Sequence, residues 1–303
     1  MNTCSMIRGT GELCNSSAAG STIPVDDLET QSKSVTQKYS EGEILLRRKL
    51  ATLYRIMDHL GWTQGIYNHI TVRVSPGSDE FLINPFGFHY NEITAGSLVK
   101  VDGDGAILDE GCTQLGISKA GYTLHSAVHA GRPDVQCVIH VHTDVGAAVS
   151  AMKRGLLPIS QEAMIVGEVS YHDYNGIFVD EAERQKIIDD LGPKNMVMIL
   201  RNHGLVAMGR TIEEALHYIY NVVKACQVQV HLQQLGPDMT DELTVPSKAV
   251  QEDVVRVVTK GGGGVSSGSW GIGELEFEAL VRELHRKGCA TGLQLKSEQL
   301  IRR

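Results

Sequence analysis

Between residues 41 and 60 the apolar positions Ile44, Leu45, Leu50, Leu53, Tyr54, Met57 and Leu60 recur at helical spacing until Gly61 closes the run. The spacing predicts an amphipathic helix with one face in a core. Shorter patterns that suit strands follow. They are Ile70 to Val74 in IYNHITVRV, Phe81 to Asn84 in EFLINP, and SLVKVDGDGAIL, where Asp102-Gly103-Asp104-Gly105 supplies a hairpin turn. Ser118 opens a second helix running to Ala130, and Gly131-Arg132-Pro133 leads into the apolar run CVIHVHTD. Beyond it the pattern predicts a helix over Val145 to Met152, a loop through Pro158, a strand near Val166 to Ser170 and a helix from Asp180 to Asp190. A strand from Met196 to Leu200, a strand carrying His203, and a long helix from Thr211 to about Leu235 complete the series. This mixture is α/β, with helices covering a sheet that is at least partly antiparallel.

The same pattern divides the chain. Residues 1–40 are rich in Ser, Thr, Gly and Asn and read as a disordered leader, and 41–236 form the main domain. Residues 237–269 are polar, and their GGGG lacks the strand-before, helix-after setting of a nucleotide-binding loop, so they read as a flexible linker. The last segment, 270–303, carries one more amphipathic helix in WGIGELEFEALVRELHRKG, expected to dock on the domain or on a partner subunit.

Composition narrows the setting. The chain has 303 residues, of which 42% are hydrophobic and 21% charged, enough for a sizeable core. No apolar run approaches the length of a bilayer span and the first residues lack a signal-peptide core, so the expected compartment is the cytosol. Cys4, Cys14, Cys112, Cys137, Cys226 and Cys289 lie far apart without a CxxC pair and read as reduced, structural thiols. The Asn15-Ser16-Ser17 sequon then has no role. A net charge of -8 argues against nucleic acid as a partner, and Arg47-Arg48-Lys49 reads as a solvated helix face.

The candidate chemistry lies in CVIHVHTD and ILRNHGL. Residues two apart on a strand share a face, so His140 and His142 point the same way from an otherwise apolar strand. Two buried imidazoles without partners are costly, and a shared metal ion removes that cost. With His203 they offer three nitrogens and one open position, the pattern of a catalytic zinc. The plainer alternative is a set of core histidines bonded to backbone carbonyls. Tyr171, His172, Asp173 and Tyr174 form a second polar cluster, read as a turn with aromatic packing.

From about Leu45 to Leu235 the chain resembles the class II aldolase/adducin family. The blocks that carry the likeness are GWTQGIYNHITVRV, FLINPFGFHYNEIT, LHSAVHAGRPDVQCVIHVHTDVGAAVSA and MILRNHGLVAMG. GLLPIS, YHDYNGI, LGPKNMV and the distal WGIGELEFEALVRELHRKGCATG make it most similar to the adducin branch. The resemblance implies a three-layer fold with a central, largely antiparallel sheet, and zinc ligands at His140, His142 and His203. It also marks two departures. The enzymes carry an acid four residues before the histidine matching His125, where this chain has Gly121. Their phosphate-holding positions read Tyr67-Asn68, Phe86-Gly87 and Lys119-Ala120 here, and the aromatic rings crowd an anion. Glu162 is the candidate substitute for the missing acid.

The resemblance therefore implies a non-catalytic head domain that self-associates, as a tetramer, in the actin and spectrin membrane skeleton on the cytoplasmic side of the plasma membrane. Adducins continue beyond the position of Gly292 into a long tail that engages actin, spectrin and calmodulin, whereas this chain stops at Ile301-Arg302-Arg303. The alternative is a zinc-dependent aldolase, epimerase or dehydratase of a small hydroxy-carbonyl compound, with Glu162 as its base.

Overall fold

The computed structural model describes residues 23–28, 38–173, 181–234, 236, 242–261 and 270–301. Eight strands form one sheet: β1 His69–Arg73, β2 Glu80–Ile83, β3 Val99–Asp102, β4 Ile107–Asp109, β5 Cys137–Val141, β6 Val169–His172, β7 Val197–Leu200 and β8 Gly204–Gly209. Their spatial order is β4-β3-β2-β1-β5-β8-β7-β6. Every neighbouring pair is antiparallel except β6 and β7, so the sheet is largely antiparallel.

Strands β1, β5, β7 and β8 are buried along their whole length, which requires cover on both faces. Helix α1, Glu41–His59, covers the face of Ile70, where the Tyr54 hydroxyl sits 2.6 Å from the Ile70 carbonyl and accepts its N–H at 3.1 Å. The opposite face carries Thr71, which meets His125 and His129 of α2, Lys119–Gly131. Alternation along the strand thus produces three layers. The long helix α6, Ile212–Gln233, packs on β5, β7 and β8, with Leu216, Ile219 and Val223 in the main core.

Local signals explain the ends. Ser40, Ser118 and Thr211 cap α1, α2 and α6 by accepting backbone N–H groups of Glu43, Gly121 and Glu214. The shorter helices are α3 Asp144–Ser150, α4 Gln161–Val166 and α5 Glu181–Leu191. The strand expected near Val166 starts later, because Val166 still belongs to α4 and Gly167, at φ 74°, ends that helix.

Four expectations change. Arg47 is not on a solvated face: it is fully buried, donating to Glu43 at 3.0 Å and to the Leu98 carbonyl at 2.8 Å, with its guanidinium 4.0 Å from the centre of the Tyr39 ring. Within the supposed linker, Lys248–Val258 forms helix α7 against α4, because Val250, Val254, Val255 and Val258 recur at helical spacing inside a charged stretch. Residues 237–241 and 262–269 of that segment lie outside the described residues, as does most of the expected leader. Tyr171 and His172 belong to β6 rather than a turn, and His172 is buried between Asp190 and Glu183 at 2.8 Å each; Tyr174 is outside the described residues. His203 stands in the turn before β8, not on a strand.

The C-terminal segment joins the same core. Phe277, Val281 and Leu284 of α8, Glu274–Arg286, pack with α1 and α6, and Glu278 accepts the first backbone N–H groups of α9, Lys296–Leu300. Gly273 makes this approach possible: a Cβ there would lie 2.1 Å from the Glu213 carbonyl oxygen.

Candidate metal centre

Two adjacent strands bring the histidines together. Antiparallel pairing sets His140 opposite Val206 and Val141 opposite Leu205, so the start of β8 lies beside the end of β5. The turn joining β7 to β8 then carries His203 to the place where His142 leaves β5. Asn202 makes that turn in the left-handed region, at φ 55°, and His203 donates its backbone N–H to Ser150 Oγ at 3.1 Å. Gly204 follows because a Cβ there would lie 2.6 Å from the Val141 carbonyl oxygen.

The imidazoles meet edge to face. Ring centres are 4.5 Å apart for His140 and His142, 4.5 Å for His142 and His203, and 5.0 Å for His140 and His203. One nitrogen from each lies within 4.8 Å of the other two, and no carboxylate among the described residues joins this group. Glu162 sits in the first turn of α4, half-buried, outside the convergence.

The donor chemistry fits a metal ion. His140 Nδ1 lies 3.1 Å from the Leu205 carbonyl, which accepts its N–H and leaves the Nε2 lone pair free to ligate. That Nε2 stands 2.7 Å from Nε2 of His142. Burial, with the neighbouring imidazoles, holds His140 well below the ordinary histidine range and brings His142 down to about 4; burial also lowers His203. Neutral rings with convergent lone pairs are what zinc and its neighbours bind.

The surroundings explain the departures seen in the sequence. Asn68 braces the site, accepting the His142 backbone N–H at 3.2 Å and donating to the Trp62 carbonyl at 3.0 Å. Tyr67 is 61% exposed, while Gly87 holds φ 105°. Gly121 carries no acid because its space is taken: a Cβ there would lie 2.3 Å from Cε1 of His69. His69 was not singled out from the sequence. Its register opposite His140 becomes readable only once the β1 and β5 pairing is known.

The fold is a covered, largely antiparallel α/β sheet with three histidines gathered where neighbouring strands end, a candidate metal site. Residues 48–230 match the family described as Class II Aldolase and Adducin N-terminal domain. The chain belongs to this family, and within it to the adducin-like members. It is 53% identical to alpha-adducin of Rattus norvegicus over 274 residues, 90% of this chain and 37% of that protein. It is 45% identical to gamma-adducin of the same organism, over 90% of this chain and 39% of the relative. A solved aldolase II superfamily protein from Pseudomonas syringae shares 44% identity, with a TM-score of 0.76 over 84% of this chain and 98% of that one. The chain spans less than half the length of the curated relatives it matches.

Proposed function

We propose that this chain is a self-associating, adducin-type head of the actin and spectrin membrane skeleton, carrying a zinc ion on His140, His142 and His203. The observation behind the first part is the 53% identity to alpha-adducin across 90% of the chain. The observation behind the second is the convergence of three neutral imidazole nitrogens within 4.8 Å. Among the described residues no helix is long and apolar enough to cross a membrane, so the proposed membrane association is peripheral.

A bound zinc ion supplies Lewis-acid polarisation and charge. The chain's own residues do the holding: the Leu205 carbonyl orients His140, Asn68 fixes the backbone of His142, and Ser150 anchors that of His203. Among the described residues no carboxylate joins the three imidazoles, and no reaction is assigned to the centre. Actin co-sedimentation with elemental analysis tests it. Pelleting with filaments and stoichiometric zinc support the proposal; failure to pellet removes the skeletal part.

A second reading, a zinc-dependent enzyme of a small hydroxy-carbonyl compound, draws on the half-exposed His142 and His203, which leave one side of the centre within reach of solvent. Stoichiometric zinc without pelleting favours it.

A further inference from the structure

We propose that His69 is a fourth histidine of this centre, whose ring binds the small anion or water held at the metal's open position. The proposal rests on the reading that His140, His142 and His203 hold a metal.

Position comes first. Thr71 pairs with Val138 and His69 with His140, so the His69 side chain rises beside His140 on one face of the sheet. The ring is buried, at 6% exposure, and among the described residues neither of its nitrogens has a hydrogen-bond partner. A buried imidazole normally finds two partners, and an interior that leaves both positions open is built for something else to fill them. His125 nearby repeats the pattern on one side: its Nδ1 meets Thr71 Oγ1 at 2.8 Å, but its Nε2 is open, and the two rings lie edge to face at 6.1 Å.

Gly121 shows that the placement is specific. A Cβ there would lie 2.6 Å from both nitrogens of His69 as well as 2.3 Å from Cε1. Any side chain at 121 would displace the ring, so glycine and histidine form a matched pair.

The role follows from what His69 is not. Its nitrogens lie outside the group that converges within 4.8 Å, while its register opposite His140 sets it beside that group. A neutral imidazole offers one N–H and one lone pair. That combination suits a metal-bound oxygen or a small anion, which accepts the N–H. Among the residues around the centre His69 is a binding and positioning group, and no proton transfer is assigned to it.

The test uses the full chain loaded with Co²⁺, whose visible spectrum reports both metal and added ligand, with azide as the probe. Wild type is expected to take up stoichiometric Co²⁺ and to bind azide. His69→Ala is expected to keep Co²⁺ and to lose azide affinity by about tenfold or more, the usual scale for a group supporting a metal's ligand. His69→Gln, which keeps an N–H, should recover part of that loss and serves as the reporter if the alanine variant does not fold. The matched pair adds a readout: Gly121→Ala should lower melting temperature in wild type and be tolerated in the His69→Ala background. Azide affinity unchanged in a folded His69→Ala or His69→Gln that binds Co²⁺ overturns the proposal while leaving the three-histidine site standing. Failure of wild type to bind Co²⁺ overturns both.

Discussion

Nε2 of His140 and Nε2 of His142 stand 2.7 Å apart. Two neutral imidazoles that close need a shared proton or a shared cation. Zinc, at about 2.0–2.1 Å from each nitrogen, would spread a tetrahedral pair to roughly 3.4 Å, so a metal here would part these two nitrogens by about 0.7 Å.

The buried histidines make the metal-free protein acid-sensitive. Burial lowers His69 to about 4 and His129 to about 3, from 6.5. Below 6.5 the unfolded chain takes up protons that the folded chain refuses, so stability is full above that pH and falls toward pH 4. Each group contributes a slope of up to about 1.4 kcal/mol per pH unit. Urea unfolding at pH 7 and pH 5 should show a drop of a few kcal/mol, and a flat profile would contradict the burial of these rings.

Arg47 lies wholly inside, paired with Glu43 at 3.0 Å and Asp109 at 3.4 Å. Truncating it leaves the buried Leu98 carbonyl without its donor, while Glu43 keeps Lys100 and Asp109 keeps Lys38, so Arg47→Ala should destabilise by about 1–3 kcal/mol in chemical denaturation. An equally stable variant would mean that the carbonyl finds water instead.

Asn202 adopts φ 55° to deliver His203 to the centre. An alanine there meets the left-handed penalty, so Asn202→Ala should cost about 1 kcal/mol while Asn202→Gly stays near neutral. Equal unfolding midpoints for the two variants would deny that backbone strain is at issue.

Helix α7 lies against α4, with Val255 Cγ2 facing Gly167. Val255→Asp should detach it, and trypsin should then cleave at Lys248, Arg256 and Lys260 severalfold faster, the expected response of a locally unfolded unit. Metal content should not change. Cleavage at the wild-type rate would show that other contacts hold the helix.

What the sequence disclosed depended on range. Helices α1, α2 and α6 were readable because their apolar spacing and capping Ser or Thr are local, and His140 with His142 just past the end of β5 was readable from strand alternation. Arg47 misled because its partners Asp109 and the Leu98 carbonyl lie in distant segments, which sequence spacing does not reveal. Helix α7 hid because its valines are diluted by charges, and they pack on a surface that exists only after folding. His69 escaped notice for a related reason: beside Asn68 it looks like one polar residue on a strand, and only the antiparallel register sets it against His140 and Gly121.

Calorimetric titration of zinc into the 303-residue chain, repeated on His140→Ala, His203→Ala and Glu162→Gln, bears most directly on the centre. Stoichiometric zinc in wild type and in Glu162→Gln, lost in both histidine variants, is the predicted result. Zinc binding that survives either histidine substitution unchanged, or no binding by wild type, would contradict a metal centre built from His140, His142 and His203.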